Sequence, residues 1–122
     1  MLKVRAERFG GVTILHLQGR IVNGPETETL RKTVMAQKSA SAMLLDLARV
    51  SSIDAAGLGV LLELRQWTQT EGIEFRLINV NQLIQQVLEI TRLDSVFEVA
   101  SPRTWVRVST LQERKFFHGK TD

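Results

Sequence analysis

The stretch LLDLARVSSIDAAGLGVLLEL, residues 44–64, decides how this chain of 122 residues is interpreted. A short apolar run, residues 42–47, overlaps the start of this stretch. The run is bounded by loops, so it predicts a central strand buried on both faces. A helix is predicted from about Asp54 to Glu71, because the Asp54 carboxylate can accept hydrogen bonds from the free amides one turn on. Gly72 stands where a helix-ending glycine is common. The stretch therefore predicts a strand that leads directly into a helix.

A rotation of about 100° per residue sorts the side chains of this helix into three faces. The predicted core face consists of Gly57, Val60, Leu61, Leu64, Trp67 and Thr68. The predicted solvent face consists of Gly59, Glu63, Gln66 and Thr70. A third stripe holds Leu58, Leu62 and Arg65. Its two leucines pack on a neighbouring helix or meet a partner protein, and burial of each contributes about 1.5–3 kcal/mol.

Gly57 and Gly59 fall in the first turn of this helix, where each costs about 1 kcal/mol relative to alanine. Two explanations stay open: close packing of the helix on the sheet, or an exposed docking surface at the helix end. The sequence lacks the full glycine spacing and the Lys-Ser/Thr pair of a phosphate-binding loop, which argues against a nucleotide site.

The rest of the chain continues the alternation of strands and helices. Gly10-Gly11 predicts a hairpin turn between two strands, and Pro25 suits the first position of a helix. The predicted strands cover residues 2–9, 12–17, 42–47, 73–80 and 96–99, and the predicted helices cover residues 25–38, 54–71, 81–91 and 101–115. This order predicts an α/β fold with a mixed sheet and helices packed against it. We expect a domain core over residues 1–100, with residues 101–122 as a C-terminal helix and basic tail of the same domain.

Composition excludes several classes of function. Without cysteine, the chain has no disulfide, cysteine nucleophile or thiolate metal site, and its two histidines are too few for a histidine-rich metal site. We expect no enzymatic activity and no cofactor, because no nucleophile–base pair is recognisable. We assign His16 a structural role, since the sequence places no second titratable group beside it. We expect a cytoplasmic protein, because neither a secretory signal nor a membrane span is recognisable.

The charge distribution argues against a nucleic-acid partner. The net charge of +3 belongs to residues 101–122, whereas residues 1–100 carry 11 charges of each sign. A neutral body does not suggest binding to a polyanion such as nucleic acid.

The central stretch resembles the STAS domain, the family of the bacterial anti-sigma factor antagonists and their relatives. The residues that match the family pattern in register are Leu45, Asp46, Leu47, Val50, Ile53, Asp54, Gly57, Leu58 and Gly59. The resemblance covers about residues 2–110 and implies a STAS-like mixed β-sheet that begins with an antiparallel hairpin.

The resemblance also implies a regulatory switch between proteins. Family members bind an anti-sigma factor, often a serine kinase of the ATPase type, and so release a sigma factor. The kinase phosphorylates the hydroxyl residue just before the first glycine of the motif, and the added charge breaks the complex. The partner-binding residues predicted here are Asn23, Asp54, Ala55, Ala56, Gly57, Leu58, Gly59, Leu62 and Arg65.

This chain departs from the family at the phosphorylated position, because residue 56 is alanine and so is residue 55. No phosphorylation is expected at Ala56, and Ser51 and Ser52 match other family positions. The missing hydroxyl suits an alternative role, in which the domain is a subunit beside the ATPase of an ABC (lipid) transporter or a scaffold of a stress-sensing assembly.

Two further departures concern loops. The loop before the first helix usually carries an acidic residue, for which Asn23 is a neutral substitute. Arg92 stands where a glycine often follows the third helix, and a non-glycine residue there would be strained in the left-handed conformation. We therefore expect that turn to be built differently.

Overall fold

A computed structural model describes residues 1–100 as one five-stranded sheet with three helices. The strands are β1 (Leu2–Phe9), β2 (Val12–Ile21), β3 (Ala42–Ile53), β4 (Glu74–Ile78) and β5 (Val99–Ala100), and they are hydrogen-bonded in that order. The helices are α1 (Pro25–Met35), α2 (Ala55–Glu71) and α3 (Gln82–Ile90). The predicted helix at residues 101–115 and the basic tail lie outside the described residues.

A hairpin opens the sheet, as Gly10-Gly11 predicts. Strands β1 and β2 are antiparallel, and Phe9 pairs with Val12 across the turn. Gly10 has a φ of +60°, which glycine adopts without steric cost. Strands β2 to β5 are mutually parallel, and a helix connects each of them to the next. Because such crossovers are right-handed and each strand is added on the same side, the helices cover one face of the sheet.

The first half of strand β3, residues 42–47, is buried on both faces, as its apolar run predicts. On the helix-covered face, Met43 and Leu45 join a large cluster that includes buried residues from all three helices. On the opposite face, Leu44 belongs to a smaller cluster whose described members are all strand residues. Met43, Leu44 and Leu45 are each at most 3% exposed, so alternation along β3 serves two separate cores.

Several boundaries differ from those predicted. Strands β2 and β3 run four and six residues further than the apolar runs suggest, because residues 18–21 of β2 pair with residues 49–53 of β3. The pairing contains two register shifts, and its residues alternate irregularly between buried and exposed positions. A hydrophobic pattern in the sequence therefore does not predict these extensions of β2 and β3. In addition, α1 ends at Met35, and β5 is a pair of residues rather than the predicted strand at 96–99.

The expectation of a different turn after α3 is wrong. Arg92 adopts the left-handed conformation itself, with a φ of +62°. The amide of Leu93 donates to the carbonyl of Leu88 at 2.8 Å, and the amide of Arg92 donates to the carbonyl of Glu89 at 3.1 Å. This pair of hydrogen bonds is a Schellman ending, and Leu93 and Leu88 pack in the same cluster. The packing of Leu93 therefore retains the turn despite the strained arginine.

Within residues 1–100, no helix is long and apolar enough to cross a membrane.

Candidate functional site

The candidate site is the first turn of α2, at the edge of the sheet where β3 ends. Asp54 is the N-cap of the helix, and one of its carboxylate oxygens accepts a hydrogen bond from the Gly57 amide at 2.8 Å. The other oxygen accepts from the backbone amide of Asn23 at 3.0 Å. A single exposed carboxylate thus joins the β2–α1 loop to the start of α2, and both loops become one surface.

The electrostatics of this turn are set by backbone donors. The amide of Asn23 and then that of Gly57 hold the pKa of the Asp54 carboxyl below its ordinary value. Hydrogen bonds from two amides stabilise the ionised form of a carboxyl group relative to its protonated form. Asp54 therefore presents a negative charge of fixed orientation at neutral pH.

Gly57 and Gly59 serve different purposes. A Cβ added at Gly57 would lie 2.0 Å from the carbonyl oxygen of Ile21 and 2.9 Å from the Ile53 side chain. Helix α2 therefore starts so close to β2 that only glycine fits, which confirms the packing explanation there. A Cβ added at Gly59 would meet no atom within 4 Å among the described residues. Packing within the described fold does not require Gly59, so the docking explanation stays open for it.

The three predicted faces of α2 are observed. The core face is buried apart from Trp67, which is partly buried, and the predicted solvent face is exposed throughout. The third stripe divides: Leu58 packs against the main core, whereas Leu62 remains 37% exposed. Arg65 is half-buried one turn further along. Of the two leucines, Leu62 is the one whose side chain leaves apolar surface exposed.

The remaining predicted site residues lie around this turn. Ala55 and Ala56 are its first two residues, Ala55 exposed and Ala56 half-buried. Asn23 is exposed, and its backbone amide rather than its side chain donates the hydrogen bond to Asp54. Its contribution to the turn is therefore available to any residue other than proline at position 23.

A cluster that sequence reasoning missed lies on the opposite face of the sheet. His16 Nε2 lies 2.6 Å from a Glu7 carboxylate oxygen, and His16 Nδ1 lies 2.7 Å from Asp46 Oδ2. The expectation that no titratable group stands beside His16 is therefore wrong. His16 faces Asp46 in the register of β2 and β3, so the strand pairing contains the signal that the linear sequence does not.

The cluster joins the first three strands, because Glu7, His16 and Asp46 lie on β1, β2 and β3. Partial burial alone would raise the pKa of the Asp46 carboxyl, but hydrogen bonds from the Ala48 amide, His16 and Asn79 outweigh it and lower that pKa. The two carboxylates sit on opposite ring nitrogens and do not converge on one point. Within the described part of the chain, no group of side chains is suited to hold a metal ion.

Comparison with known proteins agrees with this architecture. The family model of the STAS domain matches residues 3–109. BtrV of Bordetella bronchiseptica, named as a candidate anti-sigma factor antagonist, is 35% identical over 105 residues, which cover 84% of this chain and 89% of BtrV.

Two solved structures share the fold at lower identity. The anti-sigma factor antagonist SpoIIAA in its unphosphorylated form has a TM-score of 0.71 at 16% identity, covering 87% of this chain and 96% of SpoIIAA. The Thermotoga maritima protein TM1081, named as a candidate anti-sigma factor antagonist, has a TM-score of 0.71 at 24% identity, covering 79% of this chain and 84% of that protein. The extent of the family match and the identity to BtrV show that this chain belongs to the STAS domain family.

Proposed function

We propose that this chain is a non-enzymatic regulatory domain that binds an anti-sigma factor, of the type that is a serine kinase of the ATPase class, and thereby releases a sigma factor. The observation that carries the proposal is the exposed Asp54 carboxylate, held by the Asn23 and Gly57 amides at the start of α2. The similarity to BtrV, a protein named for anti-sigma factor antagonism, supports the same class of partner.

The docking surface that we propose combines a fixed charge with apolar area. Asp54 supplies the charge, and Ala55 and Gly59 leave the backbone of the first turn open to close approach. Leu62 supplies apolar surface one to two turns along the helix. Gly57 and Leu58 contribute indirectly, because their packing against the sheet and the core sets the position of the first turn of α2.

Regulation of this complex must differ from phosphorylation at the family position. Ala56 has no hydroxyl, so a kinase partner has no phosphate acceptor there. We propose that the domain binds its partner constitutively, and that other proteins or changes in abundance control the complex. The absence of a hydroxyl at residue 56 is also compatible with a permanent subunit of an ABC transporter or of a stress-sensing assembly. The experiment below distinguishes these roles from binding of an anti-sigma factor.

Affinity capture with three versions of the full chain tests the proposal. The wild type should retain an anti-sigma factor from the native lysate, identified by mass spectrometry. Ala56→Glu should lose it, because a carboxylate beside Asp54 adds like charge to the docking surface. Gln86→Glu, which adds the same charge at an exposed position of α3, is the matched control and should retain the partner. Capture of an ABC ATPase with its permease by all three would contradict the proposal.

A further inference from the structure

A groove with a volume of about 740 Å³ lies on the face of the sheet opposite the helices. It crosses the first three strands, and its walls include Lys3 and Arg5 of β1, Gln18 of β2 and Arg49 of β3. The neighbouring residues Leu15 and Leu17 point into the helix-covered core, so Gln18 belongs to the other face. The groove is therefore separate from the first turn of α2, and its use does not rest on the proposed function.

The positive charges of this groove have few partners. Within residues 1–100, neither Lys3 nor Arg49 forms an ion pair, and both are exposed. Arg5 is 4.0 Å from a Glu7 carboxylate oxygen, at the limit for an ion pair, and its side chain is 69% exposed. Three cations thus line one groove, each free or nearly free to bind an anion.

The one acidic side chain in the groove wall is already occupied. Asp46 accepts hydrogen bonds from the Ala48 amide at 3.1 Å and from Asn79 at 3.2 Å, and His16 contacts its other oxygen at 2.7 Å. These contacts direct the carboxylate toward its own loop and the imidazole. The groove wall therefore carries three cations against one carboxylate, and its net charge is positive.

The strand pairing fixes how the cations are spaced. Lys3 and Arg5 are two residues apart on one face of β1, which separates them by about 7 Å. Lys3 pairs with Gln18, and Gln18 pairs with Arg49, so Arg49 lies two strands away, at about 10 Å. One small anionic group cannot span these distances, whereas the side chains can converge on a ligand with several such groups.

We propose that this groove binds a small polyanion that carries two or more phosphate or carboxylate groups. The two arginines match such groups with paired N–H donors, Lys3 adds a mobile charge, and the Gln18 amide adds a neutral donor. The groove volume lies within the range of small-molecule sites. Its charge is local, because residues 1–100 as a whole carry equal numbers of acidic and basic residues.

Calorimetric titration of the full chain with pyrophosphate and, separately, with citrate tests this proposal. At least one of them should bind in a one-to-one complex, and the tighter of the two identifies the ligand chemistry as phosphate or carboxylate. Removing two cations with Lys3→Gln and Arg49→Gln should weaken that binding at least about tenfold. The matched control, Lys32→Gln with Lys38→Gln, removes two exposed charges elsewhere and should change the affinity by less than about twofold.

Amide chemical shifts on titration should change at Arg5, Gln18 and Arg49, and not at the first turn of α2. The proposal is overturned if neither anion binds at concentrations up to about 5 mM, or if both double variants weaken binding equally. It is also overturned if a pentaglutamate peptide binds where the small anions do not, since the groove then accepts an acidic peptide instead.

Discussion

The carboxylate of Asp54 accepts a hydrogen bond from the backbone amide of Asn23 at 3.0 Å, which fixes the β2–α1 loop against the first turn of α2. The same carboxylate caps α2 through Gly57 at 2.8 Å. One side chain therefore contributes both to the fold and to the proposed docking surface, and substitutions can separate the two contributions.

Asp54→Asn should preserve the fold and weaken partner binding. Asparagine can keep the cap to the Gly57 amide, but its side-chain nitrogen cannot accept from the Asn23 amide, so the melting temperature should fall by less than in Asp54→Ala. Asp54→Ala removes the cap and should lower the melting temperature as well. Both variants should bind the anti-sigma factor at least about tenfold more weakly, because both lack the charge. Unchanged affinity of Asp54→Asn in a calorimetric titration would show that the charge is not part of the interface.

Gly57→Ala and Gly59→Ala should change stability in opposite directions. The new Cβ at residue 57 would overlap the Ile21 carbonyl at 2.0 Å, so the free energy of unfolding should fall by about 1–3 kcal/mol or more. At residue 59 the new Cβ would meet no atom within 4 Å among the described residues. The better helix propensity of alanine should therefore raise the free energy of unfolding by about 0.4–1 kcal/mol. Urea denaturation measures both values. Equal effects at the two positions would refute the close approach of α2 to β2.

Arg92→Gly should stabilise the protein, because glycine adopts the left-handed conformation that costs arginine energy. The expected gain in the free energy of unfolding is up to about 1 kcal/mol. Arg92→Ala, which also removes the side chain but keeps the Cβ, is the control and should give no gain. A gain of the same size in both variants would mean that the arginine side chain, rather than its backbone, is unfavourable.

Asp46 should make stability depend on pH at the acidic end. Its hydrogen bonds outweigh desolvation and keep the pKa of the folded-state carboxyl below about 3.9, the usual unfolded value. The ionised carboxylate therefore contributes stability above about pH 3.9, and this contribution disappears as the pH falls through the folded-state pKa. Melting temperatures of the wild type and Asp46→Asn should differ at pH 5, and the difference should shrink as the pH falls below about 4. A difference that persists undiminished at pH 2 would contradict this role.

Local sequence signals predict the parts of the molecule that depend on neighbours along the chain. Asp54 and Gly72 mark the ends of α2 because capping needs only the adjacent turn, and both act as predicted. The core positions of α2 recur every three to four residues, and this spacing follows from helical geometry alone. Asn81 caps α3 in the same manner, through the Ile84 amide at 2.9 Å. These features are short-range, so spacing in the sequence is sufficient to locate them.

Contacts between strands are harder to predict from one sequence. His16 and Asp46 are thirty residues apart, and only the register of β2 with β3 brings them within 2.7 Å. The cations Lys3 and Arg49 meet in one groove for the same reason. At Arg92 the local preference against a left-handed arginine was correct in direction, but packing of Leu93 in the core outweighs it. Long-range packing therefore decides the features that residue preferences miss.

The affinity of the anti-sigma factor for Leu62 variants tests the proposed docking surface most directly. Leu62→Asp places a charge on the exposed apolar part of the surface, whereas Ile90→Asp makes the same change at an 82% exposed position of α3 outside it. Circular dichroism first verifies that both variants are folded. We predict that Leu62→Asp weakens binding at least about tenfold and that Ile90→Asp leaves the affinity unchanged. Equal affinity of the wild type and Leu62→Asp for the anti-sigma factor would contradict docking through α2.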